Sequence, residues 1–298
     1  MLTPILPIEW SPDCRQRNPC STRCTKVGRA GIAGYGSAVT TGMDPICDDL
    51  EAESADLLSI LGSLSAADWD RATPADGWTV RDQVSHLAFF DGTGLLAATD
   101  EEGFKQSTRS MATKGVDSLG IPEGRAMEPA ELLNWFRTAR STMTEAFRQL
   151  DPKARLPWYG PPMGALSFAT ARLMETWAHG QDVADTFTIV RTPTDRLKHV
   201  AHIGVRARAF SYATNGRTAP DTPIRVELTG PSGDRWSWND DAGDTNVVSG
   251  PALDFCLAVT QRRHVADTAL TVAGAAAKEW MGIAQAFAGD PGTGRKPG

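Results

Sequence analysis

Leu173–Asp185, LMETWAHGQDVAD, places a glutamate and a histidine four residues apart within a run of helix-forming residues. At about 100° per residue, Glu175 and His179 fall about 40° apart on one helix face, and Asp182 shares that face. Leu173, Trp177 and Ala184 point roughly the other way, as on a helix whose apolar side packs against a core. Two readings stand on this stretch alone: half of a metal site, or the solvated polar face of an ordinary amphipathic helix.

Around it, periodicity predicts a helix from about Ala165 to Thr188, the fourth of a series. The first runs from Asp44 to about Ser65, with Leu50, Leu57, Leu58, Leu61 and Leu64 at three- and four-residue steps. The second, Val80 to about Ala98, follows a turn at Ala75–Gly77 and a cap at Thr79, and carries His86. The third is MEPAELLNWFRTARSTMTEAFRQLD (127–151), with Pro129 in its first turn and Pro152 beyond its end. A Gly/Ser/Lys-rich loop is expected between the second and third, and a stiff loop, LPWYGPPMG (156–164), before the fourth. Four long helices joined by loops suggest a bundle, residues 43–190.

After Pro193 the composition changes. A helix over Asp195–Thr214 leads to PIRVELTG (223–230), whose Ile224, Val226 and Leu228 alternate with charged residues as in a half-buried strand. A turn at PSGD, a return strand RWSWN, a strand at Thr245–Val248, a helix Pro251–Arg263, a strand ALTVAG and a last helix to about Ala288 complete a small α+β domain, 191–289. The tail 290–298 is expected to be disordered on composition. Residues 1–42 carry Arg15, Arg17, Arg23, Lys26 and Arg29 against Glu9 and Asp13, and show no sustained period. They read as a disordered leader, with Met43 as the native start.

A chain of 298 residues accommodates more than one core. No apolar run approaches a membrane span, so no membrane partner is expected. A net charge of -6 without a basic stripe argues against nucleic acid. No phosphate-cradling glycine loop supports a nucleotide site. Cys14, Cys20, Cys24, Cys47 and Cys256 are odd in number and unevenly spaced, which points to a reducing cytoplasm, and the first three lack zinc-motif spacing.

His86 lies among Phe89, Phe90 and Ala97, on an apolar surface where a neutral imidazole needs a partner. It is either a core histidine bonded to a carbonyl or, if helices two and four face each other, a third donor beside Glu175 and His179. Two nitrogens and a carboxylate with one position open is a common arrangement of catalytic zinc. A separation beyond about 10 Å would exclude a shared ion. His199 and His202, three residues apart, read as surface or domain contacts, and His264 sits beside Arg262 and Arg263.

VSHLAFFD (84–91) in an early helix, LMETWAHGQDVAD in the fourth and a small α+β domain after them resemble the mycothiol-dependent maleylpyruvate isomerase branch of the DinB/YfiT-like metal-binding bundles. Within it they resemble an uncharacterised actinobacterial subfamily with sequences like LPWYGPPM and GPALDFCLAVTQRRH. The resemblance runs from about Asp44 to Gly289. It implies an α+β chain: an N-terminal four-helix bundle, then a small sterol-carrier-like α+β domain. His86, Glu175 and His179 become metal ligands, with zinc the implied ion and mycothiol the implied cosubstrate. The implied activity is thiol addition or transfer onto a small electrophile, by an isomerase or S-transferase.

The branch also carries a functional arginine in its second domain, for which Arg262 and Arg263 are the candidates; otherwise they are favourable charge at a helix C-terminus. Asp182 could accept the His179 N–H and fix its tautomer, or be solvated. Trp158 and Tyr159 could wall the pocket and hold the thiol, Tyr159 through its hydroxyl, or simply stiffen a connector. Two other readings remain: a non-catalytic metal- or thiol-binding protein, and a metal-dependent hydrolase with Asp182 as base.

Overall fold

Thr79 shows how the sequence sets the helices. Its side chain accepts from the Asp82 backbone N–H while the Asp82 carboxylate accepts from the Thr79 N–H at 2.9 Å, a reciprocal cap that starts α2 (Val80–Thr99). Thr79→Ala is expected to cost about 1 kcal/mol, read as a lowered midpoint in denaturant unfolding with an unchanged slope. The computed structural model describes residues 42–111, 119–160, 162–292 and 294–298, without the side chains of 109–111. The expected leader, Gly42 apart, lies outside the described residues, as do Cys14, Cys20 and Cys24.

Four long helices form the bundle: α1 (Asp44–Leu61), α2, α5 (Pro129–Arg148) and α6 (Ala165–Thr186). α2 packs chiefly on α5, α1 on α6, and α2 also meets α6. α1 buries Ile46, Cys47, Leu50, Leu57 and Leu61, the stripe its leucine spacing predicts. α2 and α6 are different: both are buried around most of their circumference, polar residues included. Buried polar groups must find partners inside the protein.

Two segments expected as loops are ordered elements. Between α2 and α5 lie α3 (Glu101–Met111) and the short α4 (Ile121–Arg125). Asp100 accepts from the Gly103 N–H at 2.9 Å, Lys105 pairs with Glu101 and Glu102, and Phe104 is buried. Before α6, β1 (Arg155–Leu156) pairs antiparallel with β2 (Met163–Gly164), making a small hairpin of the Pro-rich stretch.

The C-terminal part opens on α7 (Leu197–Arg206) and α8 (Arg208–Thr214), where one helix was expected; Ala207, with ψ near 4°, divides them. A four-stranded sheet follows in the order β4 (Arg235–Trp238), β3 (Arg225–Thr229), β5 (Val247–Pro251), β6 (Thr271–Ala273). β3 and β5 are parallel and the outer pairs antiparallel. α9 (Ala252–Val259) joins β5 to β6, and α10 (Ala275–Met281) ends the regular structure, short of Ala288. The helices and small mixed sheet make the chain α+β.

α7 packs against both α6 and α9, tying the sheet to the bundle. Gly204 permits the approach to α9, since a Cβ there would stand 2.6 Å from Val259 Cγ2. The tail, expected to be disordered, carries Arg295, which pairs with Asp182 and Asp185 on α6, and its Gly298 N–H donates to Asp267 at 3.0 Å. No helix among the described residues is long and apolar enough to cross a membrane.

Candidate metal centre

α2 and α6 face each other, and their contact brings His86, Glu175 and His179 together. One donor atom from each lies within 4.8 Å of the others, and the two imidazole centroids are also 4.8 Å apart. This is well inside the 10 Å bound and within reach of ligand bonds near 2 Å after small side-chain adjustment. Both histidines are buried, and the Glu175 side chain keeps a fifth of its surface exposed.

His86 Nδ1 is buried and has no hydrogen-bond partner among the described residues. His179 Nε2 stands 3.2 Å from Glu175 Oε2, and its Nδ1 meets Gln83 Oε1. An orphaned imidazole nitrogen beside a carboxylate and a second imidazole is a donor set that suits a borderline divalent cation. Burial first, then the neighbouring His179, holds His86 well below the ordinary imidazole range, leaving it neutral at pH 7. For Glu175, burial pushes the carboxyl up, but the His179 hydrogen bond and the charges around it prevail and bring it down to about 2. Both groups are therefore in the form that binds a cation.

The aromatic surroundings extend from the cluster to the hairpin. Trp78 stacks on His179 at 5.6 Å and meets His86 edge-on at 5.1 Å, and Phe90 lies 4.5 Å from His86. Phe90 in turn contacts Trp158 and Tyr159. The Tyr159 hydroxyl bonds Thr93, and burial pushes its ionisation above the usual phenol range. Trp158 and Tyr159 thus reach the cluster through Phe90.

Asp182 sits elsewhere than the spacing suggested. It is buried, but its Oδ2 accepts from Arg262 Nε at 3.2 Å and Nη2 at 2.7 Å, and its Oδ1 from Arg295 at 2.9 Å. Gln83 makes the contact with His179 expected of Asp182. The physical reason is that Asp182 lies about 60° around α6 from His179, toward the C-terminal domain rather than toward α2.

Arg262 reaches Asp182 because α9 stops early. Gln261 adopts a left-handed conformation, φ 62°; the Arg262 N–H donates to Leu257 O and the Gln261 N–H to Ala258 O, closing a Schellman motif. Arg262 is therefore outside the helix, and its charge bears on His86. The exposed Arg263 instead lines a cavity of about 340 Å³ shared with Trp177 and Gln181, from the opposite face of α6. His199 pairs with Asp49 at 2.8 Å, His202 accepts from Trp238 Nε1 at 3.2 Å, and His264 caps a turn by accepting from the Ala266 N–H.

Behind the cluster is a buried charge network that the sequence reading missed. Asp91, fully buried, accepts from Arg140 of α5 at 2.8 and 3.1 Å and from Arg172 of α6 at 3.0 Å. Arg140 also donates to Ser54 of α1 and to Thr176 of α6, the latter at 2.9 Å. One network therefore joins all four long helices, and the charge of Arg172 helps hold Glu175 ionised.

The family model described as the mycothiol maleylpyruvate isomerase N-terminal domain matches residues 50–184. That span contains His86, Glu175 and His179. Two uncharacterized proteins of Mycobacterium tuberculosis, MT0041 of strain CDC 1551 / Oshkosh and Rv0036c of strain ATCC 25618 / H37Rv, are each 46% identical over 254 residues, covering 84% of this chain and 98% of theirs. Among solved structures, a mutant of the mycothiol-dependent maleylpyruvate isomerase aligns with a TM-score of 0.53 at 17% identity, covering 74% of this chain and 89% of that one. Another structure of that isomerase gives 0.51 at 15% identity, covering 77% and 92%. At such identities the two structures speak for the fold, while the relatives and the family model speak for descent. The chain belongs to the mycothiol-dependent maleylpyruvate isomerase-like family.

Proposed function

We propose that this chain is a divalent-metal-dependent enzyme, zinc being the cation of choice, that adds mycothiol to a small anionic electrophile. The observation that carries the reading is the convergence of His86, Glu175 and His179 within 4.8 Å, with a buried His86 nitrogen left unpartnered. The family supports the thiol. A divalent cation held by these residues would lower the pKa of a thiol placed beside it, giving the nucleophilic thiolate at neutral pH.

The rest of the work falls to the chain's own groups. Arg262 uses three of its five N–H donors on Asp182 and the Thr260 carbonyl, which leaves one hydrogen on each terminal nitrogen for a substrate carboxylate. Phe90 and Trp78 cover the imidazoles and keep water from them. The thiolate sulfur bonds to one carbon of a conjugated double bond, whose electrons move toward the substrate carbonyl. Rotation about the former double bond, now single, and loss of the thiolate restore the double bond in the other geometry; without that loss the α-carbon takes back the proton the thiol gave up and the adduct is released. A thiol-dependent reaction of this kind fits a reducing cytoplasm.

Turnover of maleylpyruvate-type electrophiles should require both mycothiol and metal, followed as thiol consumption and as product isomer. Arg262→Lys should raise KM for anionic electrophiles by roughly 10–100-fold while leaving bound metal unchanged. His179→Ala should purify without metal. Turnover without thiol would support hydrolysis instead, but Asp182, the base such a reading needs, is occupied by two guanidiniums. Metal binding without turnover would support a non-catalytic metal- or thiol-binding protein.

A further inference from the structure

We infer that Gln83, locked by Thr73, is the positioning residue that fixes the tautomer of His179 and points its Nε2 at the ion; this rests on the metal reading above. The argument is a count of protons. The Thr73 hydroxyl has one, and it donates to the Trp78 carbonyl at 2.9 Å, a group that can only accept. With that proton committed, the Gln83 atom 2.9 Å from Thr73 Oγ1 must be a donor, so it is Nε2. Gln83 therefore turns Oε1 toward His179, and a carbonyl oxygen there requires a proton on His179 Nδ1. Nε2 is then the nitrogen left to bind an ion, and it faces Glu175 Oε2 at 3.2 Å.

A proton or a metal ion at Nε2 reconciles that nitrogen with the carboxylate at this distance, and a divalent cation takes the proton's place. The lock is well buried: Gln83 is 1% exposed and Thr73 9%. It is also local. Gln83 stands one turn before His86 on α2, and the turn holding Thr73 supplies Trp78, whose ring stacks on His179. One short segment, 73–86, thus provides a donor, orients a second donor and covers both rings.

The test uses zinc alone, with the full-length protein and a competing chromophoric chelator. Gln83→Leu should weaken zinc binding 10–100-fold with unchanged circular dichroism, the usual loss when the partner of a liganding histidine is removed. Gln83→Glu keeps an acceptor and should restore affinity to wild type or better. Thr73→Val frees the amide to flip and should lie between. Nitrogen-15 spectra of the metal-free protein should show the His179 Nδ1–H tautomer in wild type and a mixture in Gln83→Leu. Wild-type binding with an undiminished Gln83→Leu, or one tautomer in both, overturns the role of Gln83. A wild type that binds no zinc but shows the tautomer difference overturns the metal reading and leaves the hydrogen-bond lock standing.

Discussion

Asp91→Asn should lower the stability of the bundle by about 3–5 kcal/mol, because it leaves two buried guanidiniums without their shared counter-charge. Arg140 and Arg172 both lie within 3.1 Å of the Asp91 carboxylate, and their side chains are only 5% and 4% exposed. Neither can turn to water without unpacking a helix. The asparagine keeps the volume and one acceptor oxygen, so the loss is electrostatic rather than a cavity. In a chain of this size that loss should lower the melting temperature by roughly 10 °C. Replacing all three residues together, Asp91→Leu with Arg140→Met and Arg172→Met, should recover much of it, since a buried ionic cluster costs about what it returns. If Asp91→Asn melts within 2 °C of wild type, to take a rough margin, the network is not holding the four helices together.

That network shows where reading the sequence stops. The apolar stripes of α1 and α5, the cap at Thr79 and the alternation in β3 are local, and local patterns were enough to place those elements. Charged residues at helical spacing carry no such information, because the same Asp and Arg suit a solvated face. Only the burial of α2 and α6 on nearly all sides turns Asp91, Arg140 and Arg172 into an interior cluster, and that is decided by the packing of other helices.

Arg262 was a candidate in the sequence, but its placement beside Asp182 was out of reach for a different reason. Its position depends on Gln261 taking a left-handed conformation that glycine or asparagine normally signals, so the helix was expected to run on to Arg263. α3 could have been found from Asp100 three residues before Gly103, but the glycine and lysine content around it suggested a loop. In the candidate metal cluster, Glu175 and His179 were suggested by their i, i+4 spacing, and His86 by its apolar surroundings on the second helix and then by the family resemblance. Gln83 shares a helix face with His86, three residues away, and went unnoticed because a glutamine announces no chemistry.

Zinc should raise the melting temperature of the wild-type protein, and the size of the shift tests the three donors together. A ligand that binds only the folded state stabilises by an amount set by its concentration over Kd, about 4 kcal/mol at a thousandfold excess. For a chain of this length that is roughly 10 °C, reversed by chelator. His86→Ala removes one of three donors and should cost at least 100-fold in affinity, taking away about 2.7 kcal/mol of that stabilisation at the same free zinc. Glu175→Gln should behave alike, since a neutral amide is a poor partner for a dication beside two neutral imidazoles. His202→Ala is the control: His202 accepts from Trp238 in the C-terminal domain, so its variant should keep the full response to zinc. Equal shifts in wild type and His86→Ala would place the bound ion away from the α2–α6 contact. A shift reduced in both donor variants, with the control unchanged, points to His86, Glu175 and His179, the three-donor cluster found among the described residues.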